Sequence, residues 1–289
     1  MSTNISPITR VGVVGSGTMG GAIAELCALR GLDVRLSVSR ASSLSAAPER
    51  IAASLDRRVA KGKLSAADRD AALARIGVGM DLTDLADRDL VIEAVREEES
   101  LKLELFALLD KAAPPSTILA STTSSISITR LGAATARPER VLGVHFFNPV
   151  GVLPLVEVVP TLLSDAGVVA RVESFLGESL GKTCVRAADT SGFLVNALLV
   201  PYLLASIRMV EVGPATAEEV DQAMELGCAH PMGPLRLTDL IGLDVVAACA
   251  ESMYAESKQP HHAAPALLLR MVEAGLLGRK SGRGFYTYA

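Results

Sequence analysis

At 289 residues, 49% of them hydrophobic but only 3% aromatic and none tryptophan, the chain has room for a domain of about 190 residues plus a smaller one, with aliphatic and alanine cores. Lysine and arginine number 28 against 32 aspartate and glutamate, a net charge of -4, which excludes the gathered basic excess of a nucleic-acid-binding protein. Cys27, Cys184, Cys228 and Cys249 form no C-x-x-C pair, so neither a disulfide framework nor a metal site is suggested, and a reducing cytoplasm is the expected location.

The opening segment MSTNISPITR is polar and lacks the apolar stretch of a secretory signal. Val11-Gly12-Val13-Val14 is an apolar strand that stops at a glycine cluster; 19–30 reads as a helix closed by Gly31, and 34–38 as a second strand. Strand, turn, helix and strand within about thirty residues predict a βαβ unit and a parallel sheet. The Ser and Ala cluster at 41–47 reads as a surface loop. Residues 48–75 carry helical spacing and predict two helices joined at Lys61-Gly62-Lys63-Leu64-Ser65, inserted after the second strand. Further strands are expected at 90–94, 117–120, 141–146, 155–159 and 183–186, with helices at 100–111 and 165–180. After Asp189 strand signals vanish, and helices are expected at 191–212, 216–226, 238–256 and 263–275. The apolar stretch 194–207, interrupted by Asn196 and Pro201, reads as too short to span a bilayer, so no membrane partner is expected. The fold class is therefore an α/β Rossmann-like N-terminal domain (1–189) with an inserted helical hairpin, followed by an all-α C-terminal domain (190–289).

Gly15-Ser16-Gly17-Thr18-Met19-Gly20 matches G-x-G-x-x-G between a strand and a helix. There the first glycine permits the tight turn, the second lets a pyrophosphate approach the backbone, and the third lets helix and strand pack closely. NAD-binding versions usually end the second strand with an acid that accepts from the adenosine ribose. This strand ends Leu36-Ser37-Val38-Ser39-Arg40. Ser39 can donate to a 2′-phosphate and Arg40 can pair with it, which favours NADP(H) over NAD(H). The alternative is that Arg40 is a solvated loop residue and NAD is tolerated without the acid.

His145-Phe146-Phe147-Asn148-Pro149-Val150 follows a strand, and Glu157 lies twelve residues after His145 on the next one. The two side chains are expected to meet at the sheet's edge. A carboxylate on one imidazole nitrogen fixes the tautomer and leaves the other for proton transfer. A lone histidine is more often structural, and the residues alone leave both readings open.

Together these segments resemble the 3-hydroxyacyl-CoA dehydrogenase family, most closely its short bacterial 3-hydroxybutyryl-CoA members. Besides the glycine turn and His145 to Val150, the likeness includes Glu93-Ala94-Val95, Ser121-Thr122-Thr123-Ser124-Ser125, Asp189-Thr190-Ser191-Gly192-Phe193, Val195-Asn196, His230-Pro231-Met232-Gly233-Pro234 and 278–286. The resemblance implies that His145 is the general base when a 3-hydroxyl is oxidised and the acid when a ketone is reduced, with Glu157 orienting it. It implies that Ser124 bonds the reacting oxygen and that Asn196 helps position substrate and His145. Glu97, Lys102, Ser124, Asn148 and Lys280 match cofactor contacts, and Ser54, Lys61 and Lys63 fall near the coenzyme A contacts. It also implies a homodimer through the C-terminal helices. Thr122 stands where the family usually has Asn, Ser191 where it has Pro, and Leu153-Pro154 where it has Met or Lys.

The expected activity is interconversion of short 3-hydroxyacyl-CoA and 3-ketoacyl-CoA thioesters. Two other readings remain open: the same chemistry on acyl groups borne by an acyl carrier protein, and a non-catalytic cofactor-binding or structural role. Retention of His145, Glu157, Ser124 and Asn196 argues against the last.

Overall fold

The computed structural model describes residues 6–288; Met1–Ile5, part of the polar opening segment, and Ala289 lie outside the described residues. The chain divides into two compact units, residues 1–189 and 190–289.

In the first unit β1 (Arg10–Val14) passes through the glycine turn into α1 (Thr18–Leu29), and β2 (Asp33–Ser37) follows. Then come α2 (Ser42–Ala60), α3 (Ala66–Ala74) and β3 (Ile76–Gly79). The remaining elements are β4 (Leu90–Glu93), α4 (Glu99–Ala112), β5 (Ile118–Ser121), α5 (Ile128–Ala133), β6 (Val141–Phe146), β7 (Leu155–Pro160), α6 (Ala166–Ser174) and β8 (Thr183–Arg186). They form one eight-stranded sheet in the order β3-β2-β1-β4-β5-β6-β7-β8. This is the expected Rossmann-like arrangement, with strand order reversing beside β1.

Several expectations need correction. The sheet is not wholly parallel, because β7 runs antiparallel to β6. The connection 147–154 is too short for a parallel crossover, which needs about a dozen residues or more. Residues 42–47 are not a loop: α2 begins at Ser42, and its Ala47 is buried with Ile51 and Leu55 on one helical face, with Pro48 accommodated inside the helix. β3 was not anticipated. It holds two glycines in four residues and pairs in parallel with β2 from Val34–Ile76 to Ser37–Gly79. The helix expected over 165–180 ends at Ser174 and continues as a π-turn, Phe175–Ser179.

Side chains alternate across the sheet. Val11, Val13, Leu36, Ile92, Ala120, Val144 and Val158 face one way and form the main core with residues of α1, α2 and α6. Glu93, Ser121, His145 and Glu157 have the opposite parity, and all four are buried. On that second face Lys102 of α4 reaches Glu93, and Ile128 of α5 packs where a side chain at Gly143 would stand.

The second unit comprises α7 (Val195–Val212), α8 (Ala217–Cys228), α9 (Pro234–Ile241), α10 (Leu243–Ser257) and α11 (Ala266–Glu273). The helix expected over 238–256 is two, broken at Gly242, whose φ of 106° suits glycine. α7 carries Pro201 inside it, within the helix expected over 191–212, but it corrects the reading of its apolar stretch as too short: by length and composition the helix is long and apolar enough to cross a membrane. Its Val200, Leu203, Leu204 and Ile207 belong to the core of this unit. Asp239, buried on α9, closes the chain's end by accepting from the backbone N–H of Phe285 and Tyr286 and from the Tyr288 hydroxyl, each at 2.9 Å.

Candidate functional site

The three motif glycines are required for different reasons. Gly15 has a φ of 104°, and a side chain there would overlap the Ala94 carbonyl. A side chain at Gly20 would overlap the Gly15 carbonyl. Gly17 has ordinary dihedrals and nothing within 4 Å of where a Cβ would stand. Two glycines thus serve packing inside the chain, and the middle one borders open space. Gly17 is also the N-cap of α1, where no side chain accepts from the helix N–H groups and no acid occupies the first turn. That leaves an amino-terminal dipole suited to a phosphate. Ser16, Thr18 and Met19 complete this turn, and the Gly15 N–H donates to Ser37 O at 2.9 Å, tying the turn to the end of β2. Arg50 of α2, which no motif flagged, donates to the Ser16 carbonyl at 2.8 Å and brings a guanidinium to the turn. Ser39 and Arg40 are exposed immediately past β2.

His145 and Glu157 are direct cross-strand partners in the β6–β7 ladder. The pair is not at the sheet's edge, since β8 lies outside β7 and pairs with it. Nδ1 of His145 and Oε2 of Glu157 are 2.6 Å apart, with the histidine 7% exposed and the glutamate 0%. A carboxylate only accepts, so Nδ1 carries the hydrogen, and in the neutral imidazole the lone pair is then on Nε2. This is the arrangement of a general base with its orienting partner. The Phe147 ring packs 4.6 Å from the imidazole, centroid to centroid.

Ser124 sits in the segment that follows β5. Its backbone N–H donates to Glu97 Oε1 at 3.1 Å, and the Ser125 hydroxyl donates to the same oxygen at 3.0 Å. Two residues earlier, the Thr122 hydroxyl accepts from the Phe146 N–H at 3.4 Å, linking this segment to the strand that carries His145. Lys102 is buried between Glu93 and Glu97, at 3.1 and 2.8 Å. Glu93 belongs to the Glu93-Ala94-Val95 likeness but received no role from it, although a carboxylate inside an otherwise apolar strand was a signal. Partial burial pushes the Glu97 carboxyl up, but the Lys102 ammonium and the Thr123 and Ser125 hydroxyls outweigh it and hold it below the usual carboxylate range.

Asn148 is exposed just past β6, before a cis bond to Pro149. Ser54 is half-buried on α2, and Lys61 and Lys63 are exposed in the turn between α2 and α3. Asn196, half-buried in the first turn of α7, and Lys280, paired with Asp244 at 2.5 Å, belong to the second unit. Among the described residues no group of three or more His, Cys, Asp or Glu could hold a metal ion.

The family description "3-hydroxyacyl-CoA dehydrogenase, NAD binding domain" matches residues 10–190, and "3-hydroxyacyl-CoA dehydrogenase, C-terminal domain" matches 192–288. A 3-hydroxybutyryl-CoA dehydrogenase of Mycobacterium tuberculosis is 56% identical over 282 residues, 97% of this chain and 99% of the relative. One of Bradyrhizobium diazoefficiens is 42% identical over 281 residues, 97% of this chain and 96% of its own. The crystal structure of an (S)-3-hydroxybutyryl-CoA dehydrogenase from Ralstonia eutropha superposes with a TM-score of 0.94 at 42% identity, covering 98% of this chain and 99% of that one. The chain belongs to the 3-hydroxyacyl-CoA dehydrogenase family, and it is an oxidoreductase built on a nicotinamide-binding domain.

Proposed function

We propose that the chain interconverts short 3-hydroxyacyl-CoA and 3-ketoacyl-CoA thioesters, with NADP(H) preferred to NAD(H). The observation that carries this reading is the buried His145–Glu157 pair, joined at 2.6 Å. The open space at Gly17 and the uncapped end of α1 fit a dinucleotide pyrophosphate. When bound, the cofactor supplies hydride exchange at the substrate's third carbon. In the oxidative direction His145 takes the hydroxyl proton at Nε2, and in the reductive direction it returns that proton to the ketone oxygen. Glu157 holds Nδ1–H and stabilises the charged imidazole. Such acid–base help is worth about 10²–10⁴-fold in rate.

Ser124 is assigned to the reacting oxygen and Asn196 to substrate positioning. Glu97, Asn148 and Lys280 are assigned to the cofactor, and Ser54, Lys61 and Lys63 to coenzyme A. Ser39 and Arg40, both exposed past a strand that ends without an acid, support the 2′-phosphate of NADP(H). That cofactor favours reduction of a ketoacyl thioester. Exposed Leu198, Met209 and Val212 form an apolar stripe along α7, which supports a homodimer through the helical unit; the four cysteines, with no C-x-x-C pair among them, support a reducing cytoplasm.

The test is reduction of acetoacetyl-CoA followed by loss of reduced-cofactor absorbance, with NADPH and NADH in parallel. The same acyl group on acyl carrier protein is a third arm. Turnover with the CoA ester, faster with NADPH, is the expected result. No turnover with any substrate would defeat the reading, and a carrier-only reaction would replace the substrate.

A further inference from the structure

The segment that leads into α7 is sharply bent. Gly192 and Phe193 both have positive φ, 83° and 50°. Glycine takes such a conformation freely, but a phenylalanine keeps it only where the surroundings fix it. Inside the segment the Phe193 N–H donates to the Thr190 carbonyl at 2.9 Å, and the Ala197 N–H donates to the Gly192 carbonyl at 3.1 Å. The second bond joins the bend to the first turn of α7, which carries Asn196. Any shift at 191–193 therefore reaches Asn196 directly.

α10 holds the bend from one side. The Ser191 N–H donates to Glu256 Oε2 at 2.7 Å, and the Ser191 and Ser252 hydroxyls are hydrogen-bonded at 2.8 Å. Ser252 and Glu256 are four residues apart on α10, so they share one helical face. Met253, buried next to Ser252, closes over Gly192, where a side chain would stand 3.2 Å from the Met253 sulfur. The bond to Glu256 exists only because residue 191 has an N–H. Proline, which the family usually has there, offers none and fixes its own φ instead.

We propose that Ser191 and Glu256 are positioning residues for the reaction: the carboxylate on α10 holds the 191–193 bend by its N–H and so fixes Asn196 for the substrate. A hydrogen bond across two elements does here what a proline ring does by covalent constraint. The Ser252 hydroxyl adds a second, neutral tie to the same residue. The pair acts through Asn196, so its effect exists only while that side chain has something to position.

The inference rests on the dehydrogenase reading and on the role of Asn196 within it, and its test keeps them apart. A hydrogen bond can favour the held bend over looser ones by no more than its own worth. For an N–H on a solvent-facing carboxylate that is about tenfold at most. Glu256→Ala should therefore lower kcat/KM for acetoacetyl-CoA about five- to tenfold. Glu256→Gln, whose amide oxygen still accepts, should stay within about twofold of the unsubstituted protein. In a Ser191→Pro background Glu256→Ala should change nothing, because no N–H remains to be held. In an Asn196→Ala background it should also change nothing, whereas a merely structural role would lower kcat/KM there as well. Should Ser191→Pro fail to fold, the glutamine and Asn196 arms decide the matter. The inference is overturned if Glu256→Ala is silent, if Glu256→Gln loses as much, or if the loss persists once Asn196 or the N–H of residue 191 is gone. Any of these results with turnover by the unsubstituted protein would leave the dehydrogenase reading standing. An Asn196→Ala protein at the unsubstituted rate would remove the role of Asn196 and the pair with it. No turnover by the unsubstituted protein would sink both.

Discussion

Replacing Glu157 by glutamine is the sharpest perturbation of the proposed acid–base pair, because it removes a charge while keeping shape. The carboxylate is 0% exposed and 2.6 Å from His145 Nδ1. A hydrogen bond to a charged group is worth about 1.5–3 kcal/mol net. At about 1.4 kcal/mol per tenfold, this corresponds to a kcat loss of roughly 10- to 150-fold. The ceiling is the full attraction between imidazolium and carboxylate, about 4 kcal/mol at 4 Å with an effective dielectric constant near 20, or roughly a thousandfold. The amide oxygen of glutamine still accepts from Nδ1–H, so the tautomer and fold should survive. Glu157→Ala strips the buried imidazole of that acceptor and should cost a further 1–3 kcal/mol of stability, approximately. The assay is kcat for acetoacetyl-CoA reduction at saturating cofactor, with thermal unfolding of both variants alongside. Wild-type turnover by Glu157→Gln, or a loss that merely tracks unfolding, would refute the reasoning.

The glycine turn makes a paired prediction. Gly17→Ala should leave thermal stability unchanged, since its Cβ meets nothing within 4 Å, yet raise the cofactor KM at least tenfold, by roughly 1.4 kcal/mol. Gly20→Ala should instead destabilise the fold, because its Cβ overlaps the Gly15 carbonyl; steady-state kinetics and melting curves of the two variants check the contrast. Arg40→Ala should raise the KM for NADPH about five- to tenfold, a solvent-weakened charge-assisted bond, and leave that for NADH alone. Equal effects on both cofactors would place Arg40 among the solvated loop residues.

Much of the first unit was legible in the sequence because its signals are local. The run Val11 to Gly20 carries strand, turn and helix in ten residues, and Gly15 and Gly20 have steric reasons to be there while Gly17 borders open space. His145 and Glu157 were readable as a pair because strand spacing puts them opposite each other. The sheet around them was misread, although the shortness of 147–154 already implied an antiparallel turn. β3 was invisible for a different reason: two glycines in four residues carry little strand preference, and pairing with β2 supplies the order that local propensity lacks. The start of α2 escaped because serine and alanine are weak signals until Ala47, Ile51 and Leu55 find a common surface. The pairing of Lys102 with Glu93 is the clearest feature hidden from pattern: the likeness includes both positions but does not say that they meet. A buried lysine is chosen by the carboxylates around it, and these come from the end of β4 and from the segment before α4.

The most direct test of the account is His145→Ala, measured for cofactor binding and for single turnover of acetoacetyl-CoA in the same preparation. Cofactor affinity near that of the unsubstituted protein, together with a rate reduced by about 10²–10⁴-fold, is the predicted result. Undiminished turnover, or a rate lost only because the cofactor no longer binds, would contradict the role of His145 as the proton-transfer group.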